Sequence, residues 1–475
     1  MALNVSFLQE LLNSVAEQSR QFLPRSLRGS GREDDITELA SALSSNRGEA
    51  SGVALARELL RRYRSLGPAE RLAFLKYLTR TMQPDPDEVA RAAKAYLSGP
   101  DTVSLRALQR AVESPRLEFF RRLNLAPGAT AEIVAMRRDL MKTGDPSLAP
   151  LHSDLRHLLA WWFNRGFLVL RRIDWHTPAT ILDKIIAYEA VHEIQGWDDL
   201  RRRLDPDDRS CFAFFHPSLI DEPLIFVEVA LMDDVPGAIG DVLSEAPKNG
   251  IGNPGTAVFY SISNCQEGLR GISFGNFLIK QVVEDLVKER PSLKTFVTLS
   301  PVPNFADWLD AALAGADSAR LVTPDERERL AVLPDPDWPA SEAVAEALKP
   351  VLLRLAAHYF LTEKAGDGRP LDPVARFHLG NGARLERINW LGDISPRGLK
   401  EAHGLMVNYR YEIKDIEKNH EAYANDGVVA ASRQVHALLK RAKPRREPAG
   451  TARTKLLQIA RLRPPKPPIE QPEGA

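Results

Sequence analysis

The sequence has few cysteines, no net charge and no long apolar run. Its 475 residues include two cysteines, Cys211 and Cys265, so one chain can form neither a framework of several disulfides nor a zinc site built of cysteines. The 63 basic and 63 acidic side chains cancel, and we therefore expect no dedicated nucleic-acid binding. The longest apolar stretches, residues 158–170 and 223–232, are shorter than the ~18 residues of a membrane span, so we expect no membrane insertion.

The two ends of the chain do not favour a targeting signal, although a transit peptide at residues 1–25 stays an alternative. Residues 1–25 have the apolar spacing of an amphipathic helix, but Glu10 and Glu17 interrupt the apolar core that a secretory signal needs. The last three residues, 473–475, are not a peroxisomal tripeptide. Together with the low cysteine count, these features predict a cytoplasmic protein.

Helical periodicity dominates the first third of the chain. Leu55, Leu59 and Tyr63 recur at four-residue spacing, which is typical of a helix packed on one face. Further helical segments, separated by proline and glycine, are predicted at residues 69–82, 102–113, 131–142 and 151–163. We predict an N-terminal helical bundle over residues 1–170 that buries apolar surface between chains, so we expect a homo-oligomer, either a dimer or a tetramer.

Segments with strand character begin after Gly166. Runs rich in Phe, Val and Ile lie at residues 167–173, 211–216, 223–232, 257–262, 296–299, 387–394 and 405–411. A helix at 277–289 connects two of these strands as a crossover, which makes part of the sheet parallel. Other helices are predicted at 178–192, 343–360 and 431–441. The pattern predicts an α+β multidomain protein with a mixed α/β domain over residues 171–440 and a flexible, basic, proline-rich tail over 441–475.

A glycine-rich loop, residues 267–276, stands between a predicted strand and the helix at 277–289. Backbone N–H groups and the positive end of the helix dipole meet there, which suits an anion such as a pyrophosphate. The loop is similar to the Arg/Gln-x-x-Gly-x-Gly/Ala motif that holds the CoA pyrophosphate in GNAT-type acyltransferases, with Arg270, Ser273 and Gly275 in its three places. A plain glycine-rich turn is the alternative.

The same segment also matches the nucleophile motif of serine hydrolases. Residues 271–275 fit G-x-S-x-G, but that motif needs its serine directly after a strand, and the polar residues 264–270 intervene. We therefore set the hydrolase interpretation aside. Cys265, just ahead of the loop, is predicted to be more reactive than Cys211, which we expect to be buried and inert.

Ser300 and His378 are candidates for chemistry. Ser300 directly follows a predicted strand, at the edge of the sheet where sites in α/β domains tend to lie, although such a serine often only starts a turn or caps a helix, here one near Asn304. His378 precedes a Gly-Asn-Gly turn, and a half-buried ring bonded to a backbone carbonyl is the alternative. The spacing of the other histidines is not that of metal ligands, and we expect His403 and His420 to be solvated.

From about residue 90 to 440, the sequence resembles the malonyl-CoA decarboxylase family. The segments that carry the resemblance are Trp175-His176, HPSLIDEPLIFVEVALM at 216–232, AVFYSISNCQEGLRGISFGNFLIKQVVEDL at 257–286, LSPVPNFADWL at 299–309, FHLGNGARLERINWLGDI at 377–394 and GLMVNYRY at 404–411. The resemblance implies an N-terminal helical domain joined to a GNAT-like catalytic domain. Without the peroxisomal tripeptide, it indicates a bacterial-type, cytoplasmic member.

The resemblance also implies roles for individual residues. Ser300 and His378 fall on the family's catalytic serine and histidine. The CoA-contacting loop comprises Arg270, Gly271, Ile272, Ser273, Phe274, Gly275 and Asn276. The family carries an acid at the place of Ser273, so the implied role of Ser273 is limited to its backbone.

The implied reaction converts malonyl-CoA to acetyl-CoA and carbon dioxide through a thioester enolate. The Ser/His pair transfers the proton, and a histidine with the ordinary pKa of ~6.5 can supply it near neutral pH. No metal or cofactor is expected beyond the CoA moiety of the substrate. Two alternatives stay open: a GNAT-type acyltransferase that uses an acyl-CoA, and a catalytically inactive CoA-binding or helical scaffold protein.

Overall fold

The structure, a computed structural model, describes residues 34–45, 48–243, 253–272, 274, 278–315 and 318–440. The helix predicted at 1–25 and the tail at 441–475 lie outside these residues. Eight described helices precede the first strand: α1 (Asp34–Ser44), α2 (Glu49–Ser65), α3 (Pro68–Thr81), α4 (Pro86–Ser98), α5 (Thr102–Val112), α6 (Pro115–Leu123), α7 (Ala129–Thr143) and α8 (Ala149–Trp162).

Local sequence explains where these helices begin and which face they bury. Proline occupies the first turn of α3, α4 and α6, where its missing N–H costs nothing. The predicted stripe of Leu55, Leu59 and Tyr63 is buried, which confirms α2. The sequence missed α1, α4 and α6; α4 contains no buried residue, so its apolar positions do not mark a core-facing stripe.

The second part of the chain contains a sheet of eight described strands: β1 (Val169–Ile173), β2 (Arg209–Phe215), β3 (Pro223–Met232), β4 (Thr256–Asn264), β5 (Thr295–Thr298), β6 (Ser300–Pro301), β7 (Arg384–Asn389) and β8 (Met406–Arg410). Their order is β1-β2-β3-β4-β5-β8-β6, with β7 also paired to β8. Strands β4 and β5 are parallel and the other pairs antiparallel, which confirms the predicted crossover.

Twelve described helices accompany the sheet: α9 (Ala179–Tyr188), α10 (Trp197–Leu204), α11 (Ile239–Leu243), α12 (Leu278–Glu289), α13 (Phe305–Ala314), α14 (Ser318–Leu321), α15 (Pro324–Leu330), α16 (Glu342–Leu361), α17 (Pro373–Gly380), α18 (Pro396–Ala402), α19 (Ile416–Asp426) and α20 (Arg433–Leu438). The predicted fold class, a helical N-terminal part followed by a mixed α/β domain, is confirmed.

The sheet is covered on both faces. Phe212 and Phe214 of β2 belong to the large core that also contains buried leucines of the N-terminal helices. Cys211 and Phe215, on the opposite face of the same strand, pack with Ile185 and other apolar residues of α9 and α10. Because successive strand residues point to opposite faces, the apolar run in β2 reflects this double coverage.

Two predicted elements end earlier than expected. The strand predicted at 387–394 ends at Asn389, and Leu391 beyond it has a φ of 49°, which a strand does not tolerate. The helix predicted at 178–192 ends at Tyr188. There the carboxylate of Glu189 accepts hydrogen bonds from the N–H groups of Val191 and His192 at 2.8 and 2.7 Å, which holds the chain in a turn.

Strands β4 and β5 separate part-way along their length. They pair from Thr256 to Phe259 of β4, and the N–H of Leu299 donates a last hydrogen bond to the Phe259 carbonyl at 3.0 Å. Beyond this point β4 continues beside β3 as far as Asn264, whereas Ser300 pairs with β8 instead. This opening, the β4–β5 split, places Ser300 where the two strands part.

Candidate active site

Ser300 and His378 meet in the interior of the sheet domain. Ser300 Oγ lies 3.2 Å from His378 Nε2 and 2.8 Å from Thr298 Oγ1. On the other side of the ring, His378 Nδ1 lies 2.8 Å from the Tyr411 hydroxyl. All four side chains are buried, so these groups form one continuous hydrogen-bonded chain away from water.

Strand geometry explains why these side chains converge. Thr298 and Ser300 are two residues apart and therefore face the same side, as do Tyr409 and Tyr411 on and just after β8. The ring of Tyr409 stacks on that of His378, with centroids 4.5 Å apart and planes 24° apart. The backbone N–H of Tyr409 also donates to Thr298 Oγ1 at 3.1 Å, which ties the serine strand to the tyrosine strand.

Burial determines the charge of the histidine. His378 lies on α17, 3% exposed, and desolvation of the charged form lowers its pKa to about 3. The imidazole is therefore neutral at neutral pH. Burial likewise raises the pKa of Tyr411 well above its ordinary value, so this hydroxyl keeps its proton.

A cavity of about 670 Å³ lies between the glycine-rich loop and α17, the helix that carries His378. Its lining includes Arg270, Gly271, Ile272 and Phe274 of the loop, Asn264 at the end of β4, and Arg376, Phe377, Gly380 and Asn381 around His378 in the sequence. Gly271 has a φ of 75°, a conformation that favours glycine. The cavity thus connects the predicted anion-binding loop, the end of β4 and the helix of the histidine.

The charges around the cavity favour an anionic ligand. Arg270 from the loop and Arg376 from α17 both line it, and the Arg270 side chain is 71% exposed. Leu278, the first residue of α12, also lines the cavity, so the positive end of that helix dipole faces the same space. Glu267 is the acidic member of the lining and pairs with Lys142 at 3.2 Å and Arg270 at 3.5 Å.

Two family models match the chain in the order of its two parts. The model of the malonyl-CoA decarboxylase N-terminal domain matches residues 82–163, and the model of the C-terminal domain matches residues 166–449. The chain belongs to the malonyl-CoA decarboxylase family. This confirms the resemblance and the predicted enzyme class, a carboxy-lyase.

Named members of the malonyl-CoA decarboxylase family are similar over most of the chain. The mitochondrial malonyl-CoA decarboxylase of Anser anser anser is 36% identical over 413 residues, which are 80% of this chain and 82% of that protein. The mitochondrial enzyme of Rattus norvegicus is 39% identical over 350 residues, 68% of this chain and 70% of that protein.

Crystal structures from the malonyl-CoA decarboxylase family agree with the fold. The malonyl-CoA decarboxylase from Rhodopseudomonas palustris has a TM-score of 0.83 and 52% identity, and the match covers 86% of this chain and 100% of that one. The malonyl-CoA decarboxylase from Agrobacterium vitis has a TM-score of 0.81 and 55% identity, with the same coverage of 86% and 100%.

The structure brings most of the predicted site residues into one region. Ser300 contacts His378, and the four described loop residues line the cavity that α17, the helix of His378, also lines; Ser273, Gly275 and Asn276 lie outside the described residues. The alternative for Ser300, a helix cap, does not hold, since it lies in β6 and α13 begins only at Phe305. Nor is His378 half-buried against a carbonyl, because both ring nitrogens face side-chain hydroxyls.

Two sequence predictions about other polar groups are wrong. His403 is 9% exposed, and desolvation lowers its pKa. His420 lies against the Gly380 carbonyl, with Nδ1 at 2.8 Å from the oxygen, and is part-buried. The comparison of the two cysteines stays a prediction: Cys265 lines the cavity and is 7% exposed, although burial raises the pKa of its thiol well above the ordinary value. Cys211 is buried, as predicted.

Sequence reasoning missed Thr298, Tyr409 and Tyr411. The alternation of side chains in a strand was an available signal, because it places Thr298 beside Ser300 on one face. Within the described residues, no group of three His, Cys, Asp or Glu side chains has the arrangement of a metal site. Likewise, no described helix is both long and apolar enough to cross a membrane.

Proposed function

We propose that the chain converts malonyl-CoA to acetyl-CoA and carbon dioxide, with Ser300 and His378 transferring the proton and residues 270–276 binding the CoA pyrophosphate. The observation that carries the proposal is the 3.2 Å contact between Ser300 Oγ and His378 Nε2, whose helix, α17, lines the same cavity as that loop. Family membership supplies the reaction, and the contact supplies the groups to perform it.

The reaction breaks the bond between the α-carbon and the carboxylate carbon of the malonyl group. Carbon dioxide leaves, and the bonding electrons remain on the α-carbon and the thioester oxygen as an enolate. A hydrogen-bond donor aimed at this oxygen lowers the barrier, since negative charge develops there. A proton then bonds to the α-carbon, and water replaces the proton that the Ser300–His378 pair has given.

His378 acts in this proposal as a neutral imidazole. A histidine with the ordinary pKa would donate the proton as an imidazolium. Because the lowered pKa, about 3, leaves no imidazolium at neutral pH, an N–H or O–H group of the neutral Ser300–His378 pair donates the proton instead. The carbon of a thioester enolate is far more basic than imidazole, so a neutral donor suffices. The Tyr411 hydroxyl at Nδ1 orients the ring and sets its tautomer.

The β4–β5 split provides the route for the thioester. Asn264, at the end of β4, lines the cavity, and Ser300 lies where β4 and β5 part. With the nucleotide phosphates at Arg270 and the N-terminus of α12, the pantetheine arm runs along the unpaired edge of β4 toward Ser300. An extended chain of amides suits such an edge, because strand N–H and C=O groups there lack a strand partner.

The test uses malonyl-CoA without any acyl acceptor. We expect wild type to release carbon dioxide and acetyl-CoA, His378→Asn to lose at least about a hundredfold in kcat, the usual scale of general acid–base catalysis, and both to bind CoA equally. Ser300→Ala should lose kcat in the same way. Turnover that requires an amine acceptor would identify an acyltransferase instead, and CoA binding without turnover would identify an inactive scaffold.

We further propose that the helical domain, residues 1–170, forms a homo-oligomer through the α4–α5 hairpin. The two helices pack on each other, yet Leu97 and Val103 are 78% and 76% exposed, and Val112 is 50% exposed. A second copy that covers these residues removes apolar surface from water. Light scattering should give a mass of two or four chains and a smaller mass for Leu97→Glu; a wild-type monomer would refute the proposal.

We also propose that the enzyme works in the cytoplasm without a cofactor beyond the CoA of its substrate. Both cysteines are buried and free, which suits a reducing compartment. The proposed steps need only the side chains already named. Cell fractionation tests the compartment, and full activity after exhaustive dialysis against a chelator is the result expected for the reaction.

A further inference from the structure

Arg137 joins the helical domain to the cavity loop. It lies on α7, is 1% exposed, and donates hydrogen bonds from Nη1 to the Gly268 carbonyl and from Nη2 to the Arg270 carbonyl, the latter at 2.8 Å. Its Nη2 also lies 3.3 Å from His152 Nε2. An arginine of the helical domain thus donates hydrogen bonds to two backbone carbonyls of the cavity loop, which belongs to the sheet domain.

Among the described residues, Arg137 has no acidic partner. None of the described carboxylates lies within ion-pair distance of it, and a buried cation is costly unless it is paired or hydrogen-bonded. Desolvation lowers the pKa of Arg137, but a guanidinium stays charged in proteins. Its positive charge is therefore uncompensated behind a loop at which the proposed ligand is a pyrophosphate.

Two further contacts hold the same segment against α7. Gly268 approaches the helix so closely that an added Cβ would lie 2.0 Å from the Val134 carbonyl oxygen. Lys142, one turn beyond Arg137 on α7, pairs with Glu267 at 3.2 Å. Helix α7 therefore fixes residues 267–270 by close packing, by an ion pair and by the two bonds from Arg137.

The bonding also decides which atoms of the loop are occupied. Arg137 is not part of the cavity lining, so the carbonyls of Gly268 and Arg270 are engaged on the side of the helical domain. A carbonyl oxygen repels a phosphate, whereas an N–H binds one. Because Arg137 binds the carbonyl oxygens of Gly268 and Arg270, it favours a loop conformation in which N–H groups are the ones available to an anion.

We propose that Arg137 is a positioning residue for CoA recognition: it sets the conformation of the loop from the helical domain and adds positive charge behind it. The two domains thus build the nucleotide end of the site together. The proposal rests on the proposed function, because it concerns the same loop and the same substrate.

The test compares malonyl-CoA with malonyl-pantetheine, the same thioester without the nucleotide. Arg137→Gln removes the charge from two hydrogen bonds to the loop and should raise KM for malonyl-CoA about ten- to a hundredfold. Its kcat should stay near that of wild type, and kcat/KM for malonyl-pantetheine should be unchanged. Arg137→Lys keeps the charge and should recover part of the affinity.

Arg116 provides a matched control. It is also buried, at 4% exposed, and donates to the carbonyls of Thr79 and Met82; unlike Arg137 it also pairs with a carboxylate, Asp154, at 2.6 Å, and all these contacts lie within the helical domain. Arg116→Gln should lower the unfolding midpoint without altering the preference for malonyl-CoA over malonyl-pantetheine.

The outcomes separate the proposal from its alternatives. An Arg137→Gln variant that loses kcat/KM equally for both substrates, or behaves as Arg116→Gln does, overturns it. If Arg137→Gln does not fold, the substrate preference of Arg137→Lys decides in the same way. Calorimetry of CoA and pantetheine binding tests the role of Arg137 even if the wild-type protein releases no carbon dioxide. Failure of the proposed function can therefore be told apart from failure of the proposal for Arg137.

Discussion

Replacing Gly268 by alanine tests how tightly the two domains are joined at the site. A Cβ there would lie 2.0 Å from the Val134 carbonyl oxygen, 2.8 Å from its Cγ1 and 2.9 Å from its carbonyl carbon. Two of these atoms belong to the backbone of a helix and cannot rotate away. Restoring ordinary contact, near 3.5 Å, requires the loop and α7 to separate by roughly 1 Å or more.

The expected cost follows from that separation. Overpacking of this kind costs about 1–3 kcal/mol. Moving the loop by about 1 Å also stretches the 2.8 Å bond between Arg137 and the Arg270 carbonyl beyond hydrogen-bond length, which adds about 1.5–3 kcal/mol. We expect Gly268→Ala to lower the free energy of unfolding by about 2.5–6 kcal/mol and to raise KM for malonyl-CoA.

Urea unfolding followed by circular dichroism measures the first effect, and steady-state kinetics the second. Gly52→Ala is the control, because a Cβ at Gly52, inside α2, meets no atom within 4 Å. It should stabilise the protein by about 0.5–1 kcal/mol, since alanine favours a helix more than glycine does. A Gly268→Ala variant with wild-type stability and KM would show that the close approach is not maintained in solution.

Three further predictions concern the groups around His378. Tyr411→Phe removes the hydroxyl 2.8 Å from Nδ1 and should lower kcat about tenfold, the equivalent of about 1.4 kcal/mol, with KM unchanged; unchanged kcat contradicts a role in orienting the ring. With a pKa of about 3, His378 stays neutral from pH 8 to pH 5, so kcat should show no histidine limb near pH 6.5; such a limb would contradict the neutral imidazole. Burial raises the pKa of Asp372 from 3.8 to about 7, so its protonated form stabilises the fold below pH 3.8 and this contribution is lost as pH rises to about 7. Asp372→Asn keeps a cap for α17, so its free energy of unfolding in urea should rise relative to that of wild type between pH 4 and 7. A difference between the two proteins that is constant over this pH range would refute the raised pKa of Asp372.

The sequence predicts the order of elements better than the contacts between them. Strand β3 is predicted with its observed bounds, because its apolar run is bounded by polar and proline residues. Helix α17 was missed since proline at its start and glycine at its end resemble a loop. Its correct assignment requires knowing that Asp372 caps it, with Oδ1 accepting from the Ala375 N–H at 2.7 Å.

The same limit applies to the site. Ser300 and His378 could be singled out by their resemblance to a family, but their mutual distance depends on a strand register that no local pattern sets. The burial that makes the histidine neutral also comes from distant elements, among them β8, whose Tyr409 ring stacks on it. Arg137 carried no sequence signal at all, because an arginine in a helix is ordinarily a surface residue.

The two hydrogen bonds from Arg137 of α7 to the loop join residues that are 131 and 133 positions apart in the chain. During synthesis the N-terminal domain emerges and folds first, so the surface of α7 exists before residues 268–270 have left the ribosome. The helical domain can then act as a template on which the nascent loop adopts its shape. On this basis, the catalytic domain synthesised without the helical domain should fold with its loop in a different conformation. A helical domain added afterwards as a separate chain would have to change that conformation before it could bind.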